Sequence, residues 1–427
     1  MDTSTHRRRL ITSSEYSDNH HQPSPILERQ LADNLRLLSL LESVEESDTT
    51  TTTTGLREIE SGLNRMLSLY SQISTTSSNA AYHATAQEKD TESFKKIGAG
   101  ACGAVFAKDG ESLVAKLSKT NDDEPLWNDY ITHSKIEAHF SKYSIQNICV
   151  PECYYFSDRE STAFFNLRPG LVKAAEQVCH LPTSALVTER ILPLPKPTRD
   201  LLIQKYCSPR NKAKAFEDPA NNDCLVRVYL GSKQGKSGGM FFSLRNFKLH
   251  LNQMVEIELD VNEMADRMAI AMAIMHWSAK TDARDVEFVL GSSSKKTPLK
   301  MPLEEIEKLR KPTSTGSVSG RDEEFFHRMT KLWVLDFNQV RPITMDEAGV
   351  VQAVEAARIN DPYLPKPLQQ SPLEKRLWNS FVVTYINASD IILQKEDKEM
   401  LALPRMFIKG LIETQREKQK AAEGRIE

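Results

Sequence analysis

Three short apolar segments punctuated by glycine and aspartate constrain the fold more than any other stretch of this 427-residue chain: "FKKIGAG" from Phe94, "GAVFAKD" from Gly103 and "SLVAKLS" from Ser112. Connections this short join neighbouring antiparallel strands, and "KDGES" between the second and third is a strong hairpin turn. A helix is expected at about Pro125 to Tyr143, with Leu126, Tyr130, Ile131, Ser134 and Ala138 on one face. "VPECYYF" and "SALVTERIL" then complete an antiparallel sheet. The first hairpin also poses a chemical question. Its "GAGACG" is a Gly-x-Gly-x-x-Gly turn, which suits a phosphate cradle and equally a hairpin that needs small residues.

Beyond Pro195 the texture changes. "CLVRVYLG" and "MFFSLRNFKLHL" read as structured, joined by a flexible "SKQGKSGG". A long helix follows at 261 to 277, where Asp260 caps, Glu263 closes a capping box, and Val261, Met264, Met268, Ala271, Met272 and Met275 form one buried stripe. Methionines at helical spacing are packing rather than a metal site. A Ser/Lys/Pro-rich insertion spans 291 to 325, and a helical region from Asp346 to Lys420 ends in a charged tail.

The first ninety residues are a low-complexity, partly disordered extension with two helical islands. In one, Ser24 caps, Pro25 takes the first helical position, and Leu27, Leu31, Leu38 and Leu41 share a face. Six threonines, Thr49 to Thr54, break it. In the other, Leu56, Ile59, Leu63, Met66 and Tyr70 form a stripe. These helices are free to pair with each other, dock on the globular body, or bind a protein partner.

A net charge of -3 argues against nucleic acid or an anionic membrane as the main partner. No run reaches the roughly eighteen apolar residues of a membrane span, and Arg7, Arg8 and Arg9 lack the apolar stretch of a secretory signal. Six cysteines without an export signal predict reduced thiols and an intracellular protein, cytoplasmic or nuclear. Cys149 and Cys153 are the closest pair, but no His-x-x-x-His or second Cys pair completes a tetrahedral set, so zinc is not expected.

Further parts arrive in an informative order. Lys116 in "VAKL" follows Gly103 by thirteen residues, and Glu137, with Glu124 as the alternative, sits on the next helix where it could hold the ammonium. After the methionine helix, "SAKTDARDVEFVLG" places Asp282 five positions before Glu287 and the apolar strand Phe288 to Leu290. Asp285 is a rival, but five positions beyond it lies Leu290, which cannot bind a metal. Finally "LWVLDFNQV" delivers Asp336 and Phe337 from an apolar strand.

This order resembles the protein-kinase-like superfamily, including its aminoglycoside-phosphotransferase-like branch, from Phe94 to about Tyr385. More narrowly, "DARDVEFVLG", "LWVLDFN", "LVTERI", "FFSLRNF" and "INDPYLPKP" resemble a fungal domain family of unknown function often catalogued as a zinc finger protein. The resemblance implies an α+β, bilobal fold: a small antiparallel-sheet lobe over 91–192, a mainly helical lobe over 193–400, and a charged helical tail at 401–427. It also implies ATP and Mg2+ as cofactors, with Gly98, Gly100, Gly103 and Lys116 on the phosphates and Glu137 orienting the lysine. Backbone from Glu189 to Ile191 would meet the adenine, Glu287 and Asp336 would hold the metal, and Asp282 would position an acceptor hydroxyl. Departures from the pattern leave two functions open. Lys280 and Thr281 stand where His-Arg is usual, Glu287 replaces Asn, and Asn338 replaces Gly. One reading is a phosphotransferase; the other is a pseudokinase interaction scaffold with no catalysis.

Overall fold

In a computed structural model the chain is described at residues 52–69, 72–74, 93–100, 102–108, 111–143, 145, 148–297 and 325–423. The expected helix at Pro25 to Leu41, the Arg7 to Arg9 cluster, the Asp109-Gly110 turn and Tyr70 lie outside these residues. The fold is α+β, with two sheets and eleven helices among the described residues.

The first elements are helix α1 (Thr52–Leu67) and strand β1 (Gln72–Ser74). Helix α1, the second of the two expected islands, starts inside the threonine run that was expected to separate it from the first. It buries Leu63, Met66 and Leu67 while Leu56 stays exposed, so its docking face is the carboxyl-terminal half. Asn64 Nδ2 donates to the carbonyls of Ile257 and Glu258 at 3.1 and 2.6 Å, and Lys205 Nζ reaches Glu60 at 2.6 Å. This helix therefore belongs to the globular body, which begins at Thr52.

The glycine-bounded segments form β2 (Phe94–Ala99), β3 (Gly103–Lys108) and β4 (Leu113–Ser118). Helix α2 (Glu124–Lys142) and strands β5 (Ile148–Cys149), β6 (Cys153–Ser157) and β7 (Ala185–Glu189) follow. The small sheet has the order β2-β3-β4-β7-β6, antiparallel throughout. Side chains alternate faces along a strand, and Ala115 and Leu117 pack into one core with Phe106 and Val187. Two short helices absent from the sequence expectation, α3 (Thr162–Asn166) and α4 (Pro169–Ala175), close that core with Phe164, Phe165 and Leu171. Lys116, between Ala115 and Leu117, consequently faces the other side, toward α2.

Helix α2 corrects its expected face. Leu126, Asp129, Thr132, His133, Ile136 and Phe140 are buried, whereas Ile131 is exposed and Tyr130, Ser134 and Ala138 are not buried. The true inward face is rotated by more than about a third of a turn and carries three polar residues, Asp129, Thr132 and His133.

The second sheet contains β8 (Val226–Tyr229), β9 (Phe247–His250), β10 (Glu287–Thr297) and β11 (Phe325–Leu335), in the order β1-β11-β10-β8-β9, with β5 parallel to β11. β10 and β11 pair from Glu287↔Leu335 to Thr297↔Phe325, so the insertion expected from 291 is strand up to 297 and strand again from 325. Helices α5 (Lys196–Tyr206), α6 (Lys212–Glu217) and α7 (Leu251–Glu256) flank the sheet's connections.

The methionine stripe lies on α8 (Val261–Ala273), where Met264, Met268 and Met272 are fully buried, and the helix widens into a π turn over Ile274–Ser278. Asp260 accepts from the Glu263 N–H at 2.9 Å, as a cap should, while the Glu263 carboxylate pairs with Arg267 at 2.8 Å. Helices α9 (Glu347–Ile359), α10 (Pro372–Leu393) and α11 (Lys398–Glu423) complete this part. Gly410 permits the close approach of α11 to α9, because a Cβ there would sit 2.6 Å from a Val354 methyl. No described helix is long and apolar enough to cross a membrane.

Candidate functional site

After β7 the chain crosses to the second sheet, where Leu192 pairs with Ser292 of β10. A cleft of about 280 Å3 opens between the two sheets and is lined from both sides. The glycine turn forms one wall: Gly98, Gly100 and Gly103 all border the space. Gly103 is the sterically demanding one. A Cβ there would meet Leu117 O at 3.0 Å and Lys116 Cγ at 3.1 Å, so a larger residue would displace the lysine stem.

Lys116 is the centre of the site. Its ammonium donates to Asp129 Oδ2 at 2.6 Å and to Asp336 Oδ1 at 2.8 Å. Burial alone would lower its pKa, but the two paired carboxylates outweigh burial and hold it above the ordinary lysine range. Asp129 does a second job: its Oδ1 accepts the Phe337 N–H at 3.2 Å, tying α2 to the segment that carries Asp336. His133, one turn along α2, packs its ring 5.0 Å from that of Phe337. Asn128 donates to the carbonyls of Asn338 and Val340 at 2.9 and 3.0 Å. Asn128, Asp129 and His133 of α2 therefore hold the segment just after β11.

The expected partner of Lys116 was Glu137, and that expectation fails. Glu137 accepts the Cys153 N–H at 2.8 Å and holds β6, away from the lysine; Glu124 lies in the first turn of α2. Asp129 takes the place of both. The sequence signal was its position three residues after Leu126 and four before His133, on the face that is actually buried.

Asp282 is likewise displaced from its expected role. It is fully buried and does not line the cleft. Its oxygens accept from Arg341 N and Nε at 2.9 and 2.8 Å, Arg284 N at 3.1 Å and Gln352 Nε2 at 3.0 Å. Those bonds brace the loop after Asp336. The rival, Asp285, lines the cleft, has left-handed backbone (φ 61°), and receives Gln339 Nε2. Asn360 fixes its position by accepting from Asp285 N at 2.6 Å and donating to Ala283 O at 2.7 Å. The spacing rule chose Asp282 because it presumed a loop of fixed length; the two left-handed residues Ala283 and Asp285 turn the backbone so that the later acid faces the cleft.

Glu287 and Asp336 both line the cleft, and Asp336 also has left-handed backbone (φ 67°). Glu287 pairs with Arg227 of β8 at 2.5 Å. Burial raises the Glu287 carboxyl, Arg227 pulls it back, and Asp336 and Asp285 raise it again, to about 7. Burial and Asp336 likewise raise Asp285. Three carboxylates thus crowd a region where a cation would relieve their repulsion.

Glu189 and Ile191 border the cleft as expected for a crossing strand. Between them Arg190 is almost completely buried. It donates to Lys108 O of the small sheet at 3.2 Å and lies 3.5 Å from Asp223, which also faces Arg245.

The model of a family described as "Zinc finger protein" matches residues 332–397. No curated protein and no solved structure matches the chain. The matched segment contributes Asp336, Gln352 and Asn360 and contains neither cysteine nor histidine, so it holds no zinc-finger ligand set. Among the described residues no group of three or more His, Cys, Asp and Glu is arranged to hold a metal, and all six cysteines are free.

Proposed function

We propose that the cleft binds a nucleoside triphosphate with Mg2+, in the manner of the protein-kinase-like superfamily. The observation that carries this reading is Lys116 bridging Asp129 of the following helix and Asp336 at the strand end, beneath a glycine turn. A strand lysine held by an acid on the next helix, with a further acid placed for the metal, is the arrangement that positions and neutralises phosphates in kinases. Bound to the phosphates, Mg2+ supplies charge neutralisation and needs only one or two protein carboxylates. Asp336 and Glu287 are the residues to hold it.

In this reading Lys116 contacts phosphate oxygens, the small glycines let the turn close over them, and Glu189 to Ile191 border the base. Asp285, not Asp282, is the carboxylate on the cleft wall available to accept the proton of an acceptor hydroxyl. Binding without transfer is the second reading. It is favoured by Gln339 on Asp285 and Arg227 on Glu287, which occupy both acids.

The test compares thermal midpoints with and without Mg-ATP in the parent, Lys116→Ala and Asp336→Asn, each against its own ligand-free form. Ligand at about a hundred times its Kd stabilises the parent by about 2.7 kcal/mol, and both variants should lose that rise. Equal shifts in all three would show that these groups do not hold the phosphates. Radiolabel transfer to water or to an added acceptor, lost in Asp285→Asn and retained in Asp282→Asn, separates the enzyme from the scaffold; no transfer by the parent favours the scaffold.

A further inference from the structure

The loop between β8 and β9 exposes two large apolar side chains side by side, Met240 at 85% and Phe241 at 93%. Its base is pinned: Gly238 N donates to Tyr206 O at 3.0 Å, and Asn211 Nδ2 donates to Met240 O at 2.9 Å. Phe242, the next residue, turns inward against Phe247 with ring centres 6.0 Å apart. The Met240–Phe241 tip therefore protrudes from a fixed base rather than collapsing onto the body.

The charge around this tip is biased. Residues 209–248 carry eight Lys and Arg against three Asp and Glu, in a chain whose net charge is -3. Three other cations of this segment are engaged: Lys233 with Glu374, Arg245 with Asp223 and Arg227 with Glu287. Arg210 and Lys212, which flank the Asn211 that holds Met240, together with Lys214 and Lys236, have no ion pair among the described residues.

We propose that this tip docks on an anionic phospholipid bilayer. An exposed pair of apolar side chains on a pinned loop, held by an Asn that two unpaired cations flank, matches an interface in which the side chains enter below the headgroups and the cations meet lipid charge. The whole-chain charge, which argued against a membrane, averages away this local reversal. An acidic protein partner would have to supply its own pocket for Met240 and Phe241, so the bilayer is the simpler fit. Asn246, five residues beyond Phe241, lines the cleft, so docking would bring the cleft's edge to the lipid surface.

The full chain is to be sedimented with phosphatidylcholine vesicles with and without phosphatidylserine. Binding is expected only with phosphatidylserine and should weaken with added salt. Met240→Ser combined with Phe241→Ser should lower the affinity about tenfold or more, and Lys212→Glu combined with Lys214→Glu should lower it as well, with melting midpoints unchanged because all four sites lie at the surface. Failure to bind either vesicle, equal binding to both, or unchanged binding by the serine variant would each overturn the proposal. Retention on immobilised polyglutamate without vesicle binding would overturn it in favour of an acidic protein partner.

Discussion

Helices α2 and α8 are both half-sunk in the body, but α8 packs mainly on another helix, α10, whereas α2 lies against strands and the segment that follows β11. The inward face of α8 is Met264, Met268 and Met272, so its apolar period is plain and its cap at Asp260 marks where it starts. The inward face of α2 interposes Asp129, Thr132 and His133 between Leu126, Ile136 and Phe140, because that face must hold a lysine and a strand end as well as fill space. A helix that only packs advertises its face. One that also serves a site camouflages it, since the polar groups at the site interrupt the stripe that periodicity detects.

The sharpest way to break this contrast is Met268→Ala in α8. It should cost about 2–5 kcal/mol from a cavity in a closed core and leave the rise in midpoint caused by Mg-ATP intact. A selective loss of that rise would show that α8 is more than packing. The two regions also titrate in opposite senses. Glu287 in the cleft has its folded pKa raised to about 7, so its contribution is present below the ordinary glutamate range and is lost as pH rises through 7. Burial lowers His276, in the π turn after α8, to about 4, so its contribution is present above the ordinary histidine range and is lost as pH falls toward 4. Each limb is worth at most about 3 kcal/mol. The two windows overlap between about pH 4 and 7, where Glu287 lowers stability as pH rises and His276 raises it, so Glu287→Gln should steepen the gain in melting midpoint with pH over that range; a slope untouched by the substitution would rule Glu287 out as a contributor.

Asp129→Asn should follow in size. It weakens the Lys116 ammonium's hold and costs about 1–3 kcal/mol, with loss of the Mg-ATP effect. Glu137→Gln should be the mildest, below about 1 kcal/mol, because an amide oxygen still accepts the Cys153 N–H. If Glu137→Gln and not Asp129→Asn erased the ligand effect, the assignment of the two acids would be reversed.

The strands were legible because glycine and short turns leave little freedom: β2, β3 and β4 fall where "FKKIGAG", "GAVFAKD" and "SLVAKLS" place them. Lys116 inside β4, Glu287 at the start of β10 and Asp336 just past β11 reach the cleft because strands deliver side chains at fixed positions. The acids supplied by a helix and a loop were not legible. Asp129 was missed because the helical face was set by the wrong apolar residues, with Ile131 in fact exposed. Asp285 was passed over because counting residues along a loop ignores the turn that left-handed Ala283 introduces, and because Asn360, which fixes that turn, is distant in sequence. Helices α3 and α4 escaped notice for a simpler reason: at five and seven residues they are too short to show a period.

Arg190 has a consequence for how anything reaches the cleft. Its guanidinium spans from the Lys108 carbonyl of the small sheet to the partly exposed Asp223 carboxylate, and Arg190 and Asp223 both line the cleft. Prying the walls apart at that corner means breaking the bonds of a guanidinium that is itself nearly buried. The corner therefore ties the two walls together through a residue that also borders the space between them, so the width of the cleft and the join between the sheets are set by the same side chain.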